Sequence, residues 1–139
     1  MRVFLDTSVI VSAVATRGLC ADVFREALVR HQLVISEILI DEVRGVLRDK
    51  IGTPPDIIAD VVVLLREGSL FSEPSRAVDL PIHHAEDKAL VSAALNGGAD
   101  LFVTGDREVL DLSGPGTMEI VSPRMFWERA KAQSKSVKP

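Results

Sequence analysis

Arg2-Val3-Phe4-Leu5-Asp6 and Leu101-Phe102-Val103-Thr104-Gly105-Asp106 share one construction: a short apolar run that ends on a carboxylate. Runs this short and this apolar read as strands buried on both faces, the environment of a parallel sheet. In an open parallel sheet, ligands bind beyond the carboxyl ends of the strands. Asp6 and Asp106 would then lie at the same, functional edge. A plainer reading stands beside this one. Asp6 can cap the helix that follows it, and Asp106 can cap a turn through Arg107 to Leu110.

Outward from these two runs, strand-like and helix-like segments alternate. Val9 to Ala15 reads as a helix closed near Gly18, and Leu19 to Val29 as a second. Leu33-Val34-Ile35 is a further apolar run, followed by Ser36, which can cap a helix continuing to about Lys50. Thr53-Pro54 is a start signal, a capping residue before a proline at the first helical position, for a helix ending near Gly68. Leu70-Phe71 reads as a short strand, and the stretch from Glu73 to His84 as irregular. A helix from about Glu86 to Leu95 stops at Gly97-Gly98. Ile120-Val121 is a last strand, and Ser122-Pro123 opens the final helix. Short strands alternating with helices imply an α/β fold: a single three-layer domain with a short parallel sheet flanked by helices. The expected boundaries are residues 1–132 for this domain and 133–139 for a polar, flexible tail.

Composition narrows the function. A chain of 139 residues with 47% hydrophobic content fills one core. The net charge of −4 argues against binding nucleic acid through backbone phosphates alone, which favours a basic surface. It leaves open an enzyme that grips phosphate through bound metal ions. The single cysteine, Cys20, excludes an intramolecular disulfide and fits a reducing cytoplasm. The N-terminus reaches Asp6 before a signal-peptide core can form, and no apolar run is long enough to cross a membrane.

Helix phase sharpens the reading of the remaining acids. At roughly 100° per residue, Ile38, Leu39, Val43, Val46 and Leu47 form an apolar stripe that includes Glu42. Asp41 falls with Glu37, Arg44 and Arg48 on the polar face. Glu42 is thus a carboxylate aimed inward, which costs several kcal/mol unless it is paired, neutralised or bound to metal. An inward pair with an arginine remains the alternative. Asp87 falls on the stripe made by Leu90, Val91, Ala94 and Leu95, with Glu86 towards the flank. Stabilisation of a first-turn acid by the helix dipole accounts for Asp87 equally well. Four converging carboxylates would repel one another and titrate as a coupled set. A hard divalent cation resolves the conflict, and an all-oxygen set suits Mg²⁺ or Mn²⁺ rather than zinc.

Phe4-Leu5-Asp6-Thr7-Ser8-Val9-Ile10, Ile40-Asp41-Glu42-Val43, Glu86-Asp87-Lys88-Ala89-Leu90 and Val103-Thr104-Gly105-Asp106 together resemble the PIN-domain nucleases. Val121-Ser122-Pro123-Arg124-Met125-Phe126 resembles the C-terminal signature of one PIN subgroup, the VapC-like toxins of toxin–antitoxin pairs. The resemblance spans nearly the whole chain. It implies Asp6, Glu42, Asp87 and Asp106 as catalytic metal ligands, with Thr104 and Ser8 as supporting hydroxyls. It also implies endonucleolytic cleavage of RNA leaving a 5′ phosphate, a cognate antitoxin as partner, and a homodimer. The subgroup usually shows Arg-Asp-Pro-Asp-Asp before the third acid, where this chain has His83-His84-Ala85-Glu86-Asp87. The ligand position is kept and an upstream acid is lost. Glu108 stands where some relatives carry a further acid and is the weakest candidate.

Other chemistries fare worse. No serine stands in a Gly-x-Ser-x-Gly turn, no glycine-rich phosphate loop exists, and His83-His84 lacks the partners for a zinc site. Two alternatives keep the fold: a catalytically inactive PIN-fold binding or scaffold module, whose expected mark is a missing core acid, and a housekeeping RNA-processing nuclease. The helix opened by Thr53-Pro54 carries Ile57, Ile58, Val61, Val62, Leu64 and Leu65 over an arc of about 160°, wider than one-sided packing needs. Val63 lies opposite, an exposed apolar residue or part of a surface for a second chain.

Overall fold

The computed structural model describes residues 1–72, 80–112 and 116–136. Five strands, β1 (Arg2–Leu5), β2 (Gln32–Ile35), β3 (Leu70–Phe71), β4 (Leu101–Val103) and β5 (Glu119–Val121), form one sheet in the order β3-β2-β1-β4-β5. Every pairing is parallel. The helices are α1 (Thr7–Ala15), α2 (Leu19–Arg30), α3 (Glu37–Val46), α4 (Pro55–Arg66), α5 (Ala85–Asn96), α6 (Arg107–Leu110) and α7 (Pro123–Ser136). A π-helical turn, Leu47–Ile51, continues α3. The fold is the expected three-layer α/β arrangement.

The central strands are apolar on both faces because helices cover both. Val3, Phe4, Leu5, Val34, Ile35 and Val103 are fully buried. Phe4 lies opposite Phe102 in the β1/β4 register, and their rings stack at 5.4 Å between centroids. The chain builds β1, β2 and β3 towards one edge, then crosses back to place β4 and β5 on the other side of β1. The reversal lies between β1 and β4, the position where an open α/β sheet leaves a crevice at its carboxyl edge.

One expectation needs correction. Thr53 is not the cap of α4: Pro54 holds that position in an extended conformation, Pro55 is the first helical residue, and no side chain caps the end. Thr53 is instead tied by its backbone N–H to Leu47 O at 2.8 Å. The wide apolar arc of α4 is only partly covered. Ile58, Val61, Val62 and Leu65 are buried, whereas Ile57 and Leu64, on its flank, stay exposed. The final helix, α7, continues to Ser136. Residues 73–79, expected to be irregular, and residues 137–139 of the expected tail lie outside the described residues.

Gly97 and Gly98 end α5 for two different reasons. Gly98 has φ 69°, the left-handed conformation that closes a helix and that residues with a Cβ adopt at a cost. Gly97 has φ −83° and no such need. It is required by space, because a Cβ there would meet Val34 Cγ1 at 2.6 Å and Ser72 Cβ at 3.0 Å. The end of α5 therefore rests directly on β2. Gly97→Ala should destabilise the fold by about 1–3 kcal/mol through overpacking. Urea denaturation tests this, and an unchanged midpoint would show that α5 and β2 separate without loss.

Candidate active site

The β1/β4 pairing brings the first two acids together. Leu5 pairs with Val103, so the next residues along, Asp6 and Thr104, are also neighbours. Asp6 N–H donates to Val103 O at 2.9 Å, extending the ladder. Thr104 is fully buried, and its Oγ1 donates to Asp6 Oδ2 at 2.6 Å while accepting from Asp106 N–H at 3.0 Å. One hydroxyl thus fixes both Asp6 and the turn that carries Asp106. Each acid also caps the helix it precedes: Asp6 Oδ1 accepts from Thr7 N–H at 2.8 Å, and Asp106 Oδ1 from Glu108 N–H at 2.9 Å. The capping reading and the edge reading are both correct, since the cap uses only one oxygen of each carboxylate.

The helices supply the other two. In α3, Leu39, Ile40 and Val43 are buried, as is Leu47 of the π-helical turn beyond it; Asp41 is exposed, and Glu42 is half-buried at the flank of the packed face. The expected contrast between Asp41 and Glu42 holds, although Glu42 faces a cleft rather than the core centre. Its partner is not an arginine. Arg44 sits 3.6 Å from Asp41, while Glu42 Oε2 accepts from Thr7 Oγ1 at 3.0 Å. Asp87 enters from the first turn of α5, with Leu90 and Val91 buried beyond it.

Asp6, Glu42, Asp87 and Asp106 line one cleft of about 950 Å³, with Thr7, Ser8 and Glu86 among its other walls. Thr104 stands behind Asp6, and Ser8 lines the opening. Two participants went unread in the sequence. Thr7 follows Asp6 directly, but its link to Glu42 spans 35 residues and has no local signature. Glu86 was placed on the flank of its helix, and that flank borders the cleft. Glu108 is turned elsewhere: it accepts from His83 N–H at 2.7 Å and contacts His83 Nδ1 at 3.1 Å, tying the loop before α5 to α6.

Electrostatics register the crowding. Burial pushes the Asp6 carboxyl above its ordinary value, against the hydrogen bonds from Thr104 and Thr7, and the Asp106 charge adds to the rise. Burial also raises Glu42, with Glu86, Asp6 and Asp87 adding to it and Thr7 opposing. Asp87 is raised by burial and by Asp6 and Asp106. None of the four acids forms an ion pair among the described residues. Nor do any three acid, imidazole or thiol groups among those residues stand close enough to hold one ion. The carboxylates surround the cleft rather than meet at a point. In donor chemistry they fit a hard divalent cation: all oxygen, short of positive charge, and partly desolvated.

A carboxyl group whose folded value is raised binds its proton more tightly in the folded chain. The folded state therefore takes up protons first as pH falls, and stability contributed by these groups grows on acidification from neutral towards the ordinary values of 3.8 for Asp6 and Asp87 and 4.5 for Glu42. In chelator, Asp6→Asn should melt higher than the wild type at neutral pH. The difference should shrink as pH falls through that window. A difference in melting temperature that does not vary with pH would remove Asp6 from the strained set.

A family model described as PIN domain matches residues 2–108. A chain of the VapBC2 complex from Rickettsia felis, solved bound to a DNA fragment from their promoter, superposes with a TM-score of 0.62 at 14% identity, covering 88% of this chain and 98% of that one. No curated protein matches the sequence. The matched segment holds Asp6, Glu42, Asp87 and Asp106, and the chain belongs to the PIN-domain family, whose members are generally nucleases.

Proposed function

We propose that the protein is an endoribonuclease dependent on Mg²⁺ or Mn²⁺, acting as the toxin of a toxin–antitoxin pair in the cytoplasm. The observation that carries this reading is the set of four carboxylates, two from strand ends and two from helices, that line one cleft with no cation paired to them among the described residues. A core that holds three of them above their ordinary values has no structural use for the arrangement. An inactive scaffold would not need to keep it.

Asp6, Glu42, Asp87 and Asp106 would hold the metal. A divalent ion held there would supply Lewis-acid chemistry towards a phosphodiester and an attacking water. The protein's own part is preorganisation. Thr104 locks the rotamer of Asp6 from behind, and Thr7 holds Glu42 across the cleft. Both hydroxyls donate, so they favour the ionised carboxylates against the burial that opposes them. The association with an antitoxin draws support from the structural relative, itself one half of a VapBC pair.

Wild-type protein with Mn²⁺ should cleave single-stranded RNA within the chain and leave 5′ phosphates, and chelation should abolish this. Asp6→Asn and Glu42→Gln should each lose most of the activity while remaining folded. Asp41→Asn, one residue away but exposed, should change it little. Equal losses at positions 41 and 42 would show that the helix face is misassigned. RNA left intact by the wild type at all metal concentrations would overturn the nuclease reading.

The reading includes a two-fold dimer through α4. Val63 is 54% exposed, opposite the buried stripe of its helix, and Ile57 and Leu64 on the flank add to the uncovered apolar surface. Val63→Arg should keep the circular dichroism spectrum and shift light scattering from dimer towards monomer. A monomeric wild type, or a variant that dimerises as tightly as its parent, would exclude α4 as the contact.

A further inference from the structure

The wall of the cleft beside Glu42 is not wholly α-helical. After Val46 the chain enters the π-helical turn Leu47–Ile51, in which Gly52 N–H reaches back to Leu47 O and Thr53 N–H bonds the same carbonyl at 2.8 Å. Leu47 is fully buried and pins the turn to the core, and Gly52 closes it with φ 74°. Because each hydrogen bond of a π-turn spans five residues rather than four, successive residues turn by less than the roughly 100° of an α-helix. Asp49 and Lys50 lag behind their α-helical positions. With Gly45 and Val46, they line the same cleft as Glu42.

Lys50 is the one cation among the described residues lining that cleft, against the acids Asp6, Glu42, Asp49, Glu86, Asp87 and Asp106. Asp49 is already engaged by Arg48, through hydrogen bonds of 2.8 and 3.0 Å. Arg25, Arg30, Arg44, Arg66 and Arg129 are likewise held in ion pairs. Lys50 is exposed and makes no hydrogen bond or ion pair among the described residues. Its ammonium, on a flexible four-carbon stem, is open to an anion entering the cleft.

Resting on the ribonuclease reading above, we propose that Lys50 binds a phosphate of the RNA strand next to the one cleaved at the carboxylates, and so sets the strand across the cleft. A contact of this kind acts on binding and not on the chemical step. It also carries a measurable signature, since each phosphate neutralised on a single strand contributes about 0.7 to the dependence of log affinity on log salt concentration.

The test uses the full chain, Mn²⁺ and a single-stranded RNA oligonucleotide, with kcat and KM measured across a series of KCl concentrations. Lys50→Gln should raise KM roughly tenfold at low salt, as loss of one charge-assisted contact does. Its kcat should stay within about twofold, and its salt slope should fall by about 0.7. Lys50→Arg should restore both KM and slope. Lys131→Gln, which removes one charge stacked on Trp127 in α7, should alter neither. Thermal melts of Lys50→Gln should match the wild type. An unchanged KM and slope in Lys50→Gln would overturn the proposal, as would a fall in kcat at constant KM. A wild type that fails to cleave RNA would overturn the ribonuclease reading, and this assignment with it.

Discussion

The hydrogen bond from Thr104 Oγ1 to Asp6 Oδ2, 2.6 Å long, sits where every other part of the site is anchored. It exists because β1 and β4 pair in parallel and in register, so the first residue past each strand meets its neighbour. Thr104 is wholly enclosed, and a buried hydroxyl left without a partner costs a few kcal/mol. The carboxylate supplies the acceptor. In return, the hydroxyl favours the charged form of a group that burial would otherwise neutralise. The same oxygen accepts from Asp106 N–H, so the turn after β4 is fixed by the bond that fixes the end of β1. The two acids at the sheet edge are positioned as one unit.

The rest of the molecule holds two helices against that unit. Glu42 and Asp87 are delivered by α3 and α5, whose inner faces are anchored by Leu39, Ile40, Val43, Leu90 and Val91. The acids lie at the margins of those faces, so apolar burial along each helix offsets the repulsion at its edge. Close packing such as that of Gly97 on Val34 denies α5 the room to retreat from the cluster. A loosely packed sheet would let the carboxylates separate and lower the energy. A dense one keeps them in place, where burial first and neighbouring charge second raise Asp6, Glu42 and Asp87 above their ordinary values.

Local regularities were legible in the sequence, and contacts between distant segments were not. The inward turn of Glu42 and the outward turn of Asp41 follow from helical period, which depends only on neighbours in the chain. The shared edge of Asp6 and Asp106 follows from two strands that each end on an acid. Thr7 could not be found this way, because its hydrogen bond reaches Glu42 across 35 residues and any small polar residue fits the first turn of a helix equally well. At α4, two prolines follow a capping residue, and sequence alone does not say which one begins the helix. The structure chooses Pro55, because Thr53 N–H is drawn back to Leu47 O by the π-turn. That turn has no sequence signature of its own.

An acidic chain that handles a polyanion looks contradictory only when charge is counted over the whole molecule. The net charge is −4, yet arginines such as Arg66 and Arg129 are spent on exposed ion pairs with Glu37 and Glu119, which contribute little to stability. Asp6, Glu42, Asp87 and Asp106 have no such partners among the described residues, and solvent screens Asp6, Glu42 and Asp87 less because they are partly buried. The potential inside is therefore set by a few unpaired groups rather than by composition. A site of this kind repels phosphate until cations enter it, and the same deficit of positive charge that excludes the polyanion attracts a divalent ion. Carboxylates held apart around the opening, instead of clasped to arginines, leave that deficit unfilled by the protein itself.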